Sequence, residues 1–172
     1  MFGLMKSKNP YEAVAHDIYA AALSHARDAA FYSDYGVEDN FEGRFEVLCL
    51  HIFIVMHVAL AAGVDEAFNQ ALFDIMFADM DQSLRQLGKG DMGVPKHMRR
   101  MMTGFNGRMN AYEELYQDKA AFVEAVRRNV YNGRADAPAD KIARYVRANI
   151  KKQNAKSIVQ GRASFVPITG KA

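Results

Sequence analysis

The chain has no tryptophan, four prolines and a single cysteine in 172 residues. One cysteine excludes an intrachain disulfide and a zinc site made of several thiolates from one chain. Cys49 stands in an apolar run, where a free thiol behaves as a small hydrophobe, and a reducing compartment suits it. So few prolines leave long stretches in which nothing interrupts a helix. The opening segment MFGLMKSKNP has a short apolar start and two lysines. It lacks a secretory core and is not the arginine-rich, acid-poor pattern of a transit sequence. The longest apolar stretch, Val47 to Ala62, covers 16 residues and includes His51 and His57. That falls short of the roughly 18 residues that mark a membrane span, so a buried core helix is expected.

What is present is ordinary for a globular chain: 50% hydrophobic and 24% charged residues, in a length that suits one domain with a sizeable core. The formal net charge of +2 hides an asymmetry. Residues 1–86 carry 13 acids and 5 bases, whereas residues 87–172 carry 7 acids and 17 bases. The split predicts either an acidic and a basic face on one molecule or mutual neutralisation within the fold, and charge counts leave both open.

Helical periodicity and punctuation run the length of the chain. NPYE supplies Asn9 as a cap, Pro10 at the first helical position and Glu12 for a capping box, opening a helix to about Ala30. Asp39 and Glu42 form a second capping box before a helix that stops at Gly63 and, being apolar nearly all round, should be central. A third helix is expected from about Asp65 to Leu87, stopped by Gly88. A fourth runs from Pro95 to about Gln117, with Met98, Met102, Phe105, Met109, Tyr112 and Tyr116 as its apolar stripe. Asp118 caps a fifth ending at Gly133, and the sixth spans about Ala139 to Asn154. The expectation is an all-α, single-domain bundle of about six helices: residues 1–9 a stub, 10–155 the helical domain, 156–172 an extended tail.

Several motifs compete with that plain reading. Gly88-Lys-Gly-Asp-Met-Gly93 matches the dinucleotide fingerprint G-x-G-x-x-G, whose mechanism requires a strand before it and a βαβ unit around it. Here it lies between two amphipathic helices, so the glycines serve a helix stop and a chain reversal. A di-iron bundle needs two Glu-x-x-His motifs, and the sequence has none. Asp74, Asp79 and Asp81 sit in a helix rich in Phe and Met, where they could cap, pair with Arg85 or Arg108, or hold a cation; structural pairing is favoured because buried charges need partners. His51 and His57 are about 600° apart around a helix and make poor joint ligands. No G-x-S-x-G marks a hydrolase. Met76, Met80, Met92, Met98, Met101, Met102 and Met109 concentrate in the third and fourth helices and their loop. Such residues can form an adaptable apolar surface or fill the core. Met98, Met102 and Met109 fit the core stripe, whereas Met92 and Met101 fall off it and are the candidates for exposure.

Three blocks, GVEDNFEGRFEVLCLHIFIVMHVAL, ALFDIMFADMDQSLRQLGKGDMGVPKHMRRM and FNGRMNAYEEL, resemble successive blocks of the ubiquinol–cytochrome c chaperone family. The likeness runs from about Phe31 to Ala148. Its most specific part is Phe-Asp-x-Met-Phe-x-Asp-Met-Asp leading into Gly-Asp-x-Gly-Val-Pro-Lys. Matched positions are Arg44, Asp74, Asp79, Asp81, Arg85, Gly88, Gly90, Asp91, Val94, Pro95, Lys96, Gly107, Arg108 and Tyr112. The resemblance implies an all-helical, non-enzymatic assembly factor that holds newly made cytochrome b for respiratory complex III, with no cofactor or metal of its own. Mitochondrial relatives carry an import region and act with a small partner near the ribosome; this chain resembles a compact bacterial member. The expected location is the bacterial cytoplasm, peripheral to the inner membrane. Lys89, Lys96, Arg99 and Arg100 would suit anionic headgroups, with Phe2, Leu4, Lys6 and Lys8 a small further anchor. Candidates for partner binding are Asp74, Asp79, Asp81, Lys89, Asp91, Met92, Val94, Lys96, Arg99, Arg100, Met101, Arg108 and Tyr112. The competing class is a helical nucleic-acid- or ribosome-binding module using the basic second half, whose affinity would fall steeply with salt.

Overall fold

The computed structural model of the chain describes residues 9–88 and 93–168. Lys89, Asp91 and Met92 of the fingerprint loop and the N-terminal residues Phe2, Leu4, Lys6 and Lys8 lie outside the described residues. The order is α1 (Glu12–Ala26), α2 (Ala30–Ser33), α3 (Phe41–Ala61), α4 (Glu66–Gln86), α5 (Val94–Leu115), α6 (Lys119–Val130), α7 (Ala139–Lys152) and α8 (Ala155–Ile158). The six long helices match the sequence expectation, and no strand occurs among the described residues.

The helix apolar all round is the axis of the fold. In α3 every residue from Phe45 to Val55 is buried, Glu46 and His51 included. By length and composition it could cross a membrane, with a mean hydropathy of 1.8 over its best window. It is wrapped instead by α1 and α4 on one side and by α6 and α7 on the other, with α5 bridging the two groups. Three aromatic clusters lock these layers. Phe53, Tyr112 and Phe122 join α3, α5 and α6. Phe73, Phe77 and Phe105 join α4 to α5. Phe31, Tyr145 and Phe165 surround His51.

The helix ends follow the punctuation with local shifts. Asn40, not Asp39, caps α3: its side-chain oxygen accepts the Gly43 N–H at 2.8 Å, while Asp39 turns to Arg44. Asn9 does not form the expected box with Glu12. Its side-chain Oδ1 accepts the Tyr11 N–H at 2.9 Å, and its side-chain amide donates to the Ala67 carbonyl at 2.8 Å, tying the entry of α1 to the start of α4. The first helix ends at Ala26, not Ala30, and Asp28 starts the separate turn α2 by accepting from the Ala30 N–H. Asp118 caps α6 as anticipated, and Asp65, expected as the start of its helix, caps α4. Gly63 (φ 69°) closes α3, with the Val64 N–H returning to the Ala59 carbonyl, the bond pattern that glycine permits at a helix end.

The C-terminal segment is extended only after α8 and lies on the body. The Gln153 amide pairs with the backbone of Ser164 in both directions, at 3.0 and 3.3 Å. Asn149, fully buried in α7, accepts the Val166 N–H at 2.8 Å. Two amide side chains thus stand in for a neighbouring strand, and Phe165 is pressed between His25 and His51.

Candidate interaction surface

The α4–α5 hairpin carries nearly all the residues picked out in sequence. At its elbow Leu87 is 63% exposed, and Lys96, Arg99 and Arg100 are exposed on the opening turns of α5. Proline at the helix start favours α5 locally, and buried Val94 anchors it. No acid occupies the first turn of α5. A helix N-terminus carries a partial positive charge that favours anions, and cations there are placed against the dipole. Lys96, in the first turn, therefore stands against the dipole at a small cost to helix stability, and Arg99 and Arg100 follow it on the next turn.

Behind the elbow, α3 and α5 enclose a cleft of about 270 Å³ lined by Phe41, Phe45, His97, Arg100 and Met101. Its floor is the ion pair of Arg108 with Glu46, in which the Arg108 Nε–H donates to Glu46 Oε2 at 2.6 Å and a second guanidinium nitrogen donates to Oε1. Burial pushes the Glu46 carboxyl above its ordinary range while Arg108 pulls it back. The two-pronged contact sets the buried carboxyl against a guanidinium, a charge-assisted pairing that favours its ionised form. Gly104 leaves the guanidinium room: a Cβ there would lie 2.7 Å from Arg108 Nη1.

Most of the candidate acids are engaged within the fold. Asp79 accepts the Tyr19 hydroxyl at 2.6 Å, Asp81 pairs with Arg85 at 2.7 Å, and exposed Asp74 accepts from Gln70 at 2.7 Å. Burial and this carboxylate both push the Tyr19 phenol upward. Arg108 turns to Glu46 rather than to these aspartates. No group of three or more metal-ligating side chains forms among the described residues. His51 is a core histidine: Nδ1 meets the Val47 carbonyl and Nε2 the Tyr145 hydroxyl, both at 2.8 Å.

The expected methionine surface is corrected. Met76, Met80, Met98 and Met101 are buried, at 0% to 7% exposure, so Met101 does not offer itself to a partner. The buried line of α5 is Val94, Met98, Met101, Phe105 and Tyr112, whereas Met102 and Met109 are partly exposed. α5 packs on α4 and also on α3 and α6, so its covered arc is wider than the stripe and rotated from it. Val94 and Tyr112, both at 0% exposure, are likewise packing residues. The Tyr112 hydroxyl is buried beside Asn129 without a hydrogen bond of normal geometry.

A feature that sequence reasoning missed lies at the other end of the hairpin. Where the end of α3, the start of α4 and the second half of α5 meet, a groove of about 430 Å³ is floored by Met56, Leu60, Phe73, Phe105 and Met109. Leu60 is 53% exposed. Glu66 and Glu113 stand on the rim, and His57 Nδ1 lies 2.8 Å from Glu113 Oε2. From Gln70 to Leu87 along α4 the groove and elbow are about 25 Å apart. Glu46 was also missed, although a lone acid inside an apolar helix run is a signal for a buried ion pair.

Fold and surface define the class: a single-domain, all-α protein in which a charged helical hairpin packs on a buried apolar helix. More particularly, the chain belongs to the ubiquinol–cytochrome c chaperone family, whose sequence model matches residues 33–165 and so covers α3 to α7 entirely. The crystal structure of the Cbp3 homolog from Brucella abortus matches with a TM-score of 0.76 and 34% identity, over 95% of this chain and 93% of that one. No functionally curated protein matches the chain.

Proposed function

We propose that this protein is an assembly chaperone that holds newly made cytochrome b and promotes assembly of the ubiquinol–cytochrome c reductase complex, acting without catalysis. The observation that carries this reading is the family match across residues 33–165, in a fold shared with a Cbp3 homolog. The hairpin supports it physically. Lys96, Arg99 and Arg100 are exposed on the first two turns of α5, and Leu87 is exposed just after α4. Such a corner suits the anionic cytoplasmic face of a bacterial inner membrane, where a membrane subunit emerges.

The test is deletion of the gene in its own host together with capture on the tagged full-length chain. Deletion should lower haem-loaded cytochrome b and assembled complex III, and the tagged chain should retain cytochrome b at high salt. Normal complex III in the deletion strain would overturn the reading. Capture of nucleic acid or ribosomes alone, released steeply by salt, would replace it with the competing class.

A further inference from the structure

From the groove at the far end of the hairpin we infer a docking site for one kind of segment: an apolar stretch flanked by lysine or arginine, as at the cytoplasmic end of a transmembrane helix. This rests on the proposed function, since it specifies the part of a membrane client that the protein grips. The floor supplies the apolar contact. Phe73 and Phe105 meet edge to face at 5.7 Å and give a stiff base, while Met56, Met109 and half-exposed Leu60 give a pliable wall.

The rim supplies the charge selection. Among the described residues its ionisable lining is Glu66 and Glu113, the latter 2.8 Å from His57 Nδ1; the remaining polar lining is amide, with no lysine or arginine. Acid-only edges around an apolar floor disfavour an acid-flanked segment and favour a base-flanked one. Cytoplasmic ends of membrane helices carry that excess of Lys and Arg. The basic elbow, about 25 Å away along α4, has the opposite sign, so the two ends of one hairpin select different partners.

Fluorescence anisotropy with the full-length protein tests this, using three labelled peptides: an apolar segment flanked by lysines, the same segment flanked by glutamates, and a lysine-flanked polar one. The lysine-flanked apolar peptide should bind best, with glutamate flanks weakening it about five-fold or more. Leu60→Asp, at an exposed position, should weaken it about ten-fold, the loss of one apolar anchor. Glu66→Lys should erase the flank preference, and far-ultraviolet circular dichroism should show both variants folded. Equal binding of all three peptides, or binding abolished by Lys96→Glu with Arg100→Glu but untouched by Leu60→Asp, would overturn the assignment. A Leu60→Asp strain with normal complex III would also overturn it, yet leave the chaperone reading standing. A normal deletion strain would instead remove the chaperone reading itself.

Discussion

His51 shows how a polar residue becomes part of the core. Both ring nitrogens are engaged, which fixes the neutral tautomer: Nδ1–H donates to the Val47 carbonyl and Nε2 accepts the Tyr145 hydroxyl. Burial lowers its pKa from 6.5 to about 4. The unfolded chain therefore takes up a proton at this residue between pH 6.5 and 4, where the folded chain does not. Stability should be unaffected by His51 above pH 6.5 and lost as pH falls through that window, by about 3 kcal/mol at the acid end. Glu46 acts with the opposite sign, because a raised carboxyl gains a proton in the folded state first. The measurement is therefore a difference: urea midpoints of the parent and His51→Gln between pH 7 and 4. The variant should be less stable at pH 7, yet its midpoint should fall less with acid. Parallel profiles would mean that His51 does not titrate as its burial requires.

At the scale of elements, start and stop signals carried most of what was legible. Asp65, Asp118, Gly63 and Gly133 lie at helix ends because capping and left-handed turns are local chemistry, written within a few residues. Contacts between distant segments were not legible. The end of α1 at Ala26 depends on Tyr32 reaching back to the Ala26 carbonyl, and the choice of Asn40 over Asp39 depends on Arg44 engaging Asp39. Burial of Met101 depends on how many neighbours α5 has, which its own periodicity does not state, whereas buried Tyr112 lies on the expected stripe. The groove was hidden for the same reason, since Leu60, Phe73 and Met109 come from three helices. Gly43 makes the element-scale prediction. A Cβ there would lie 1.9 Å from the Glu38 carbonyl oxygen, a backbone atom that cannot rotate away. Gly43→Ala improves intrinsic helix propensity by about 1 kcal/mol, but the clash forces the entry to α3 apart. Thermal unfolding should therefore show a loss, about 1–3 kcal/mol as in overpacked sites. Gly107→Ala, with nothing within 4 Å of its Cβ, should be neutral or stabilising.

At the scale of the whole molecule, ion pairs among the described residues form mostly within one half of the sequence. Arg108–Glu46 joins the acidic and basic halves, whereas Arg44–Asp39, Arg85–Asp81, Arg127–Glu124, Arg134–Asp136 and Arg144–Asp140 pair within a half. Part of the basic half is consumed by structure: Arg127 donates to the Ala135 and Ala137 carbonyls, and Arg147 stacks on Tyr116 at 4.5 Å. The elbow cations differ in being exposed, and Lys96 stands in the first turn of α5, where the dipole opposes a cation. Their removal should therefore leave the fold intact while changing what the surface meets. The variant Lys96→Glu, Arg99→Glu, Arg100→Glu should melt at or slightly above the parent temperature, because acids at a helix start are favourable. In vesicle sedimentation with phosphatidylglycerol-containing membranes it should partition about 100-fold less, since each lost cation removes about 1 kcal/mol near an anionic surface. Added salt should weaken the parent toward the variant as exposed charges are screened. Equal partitioning of both proteins, or a parent that ignores salt, would place membrane contact elsewhere on the molecule and leave the strained positive corner without a ligand.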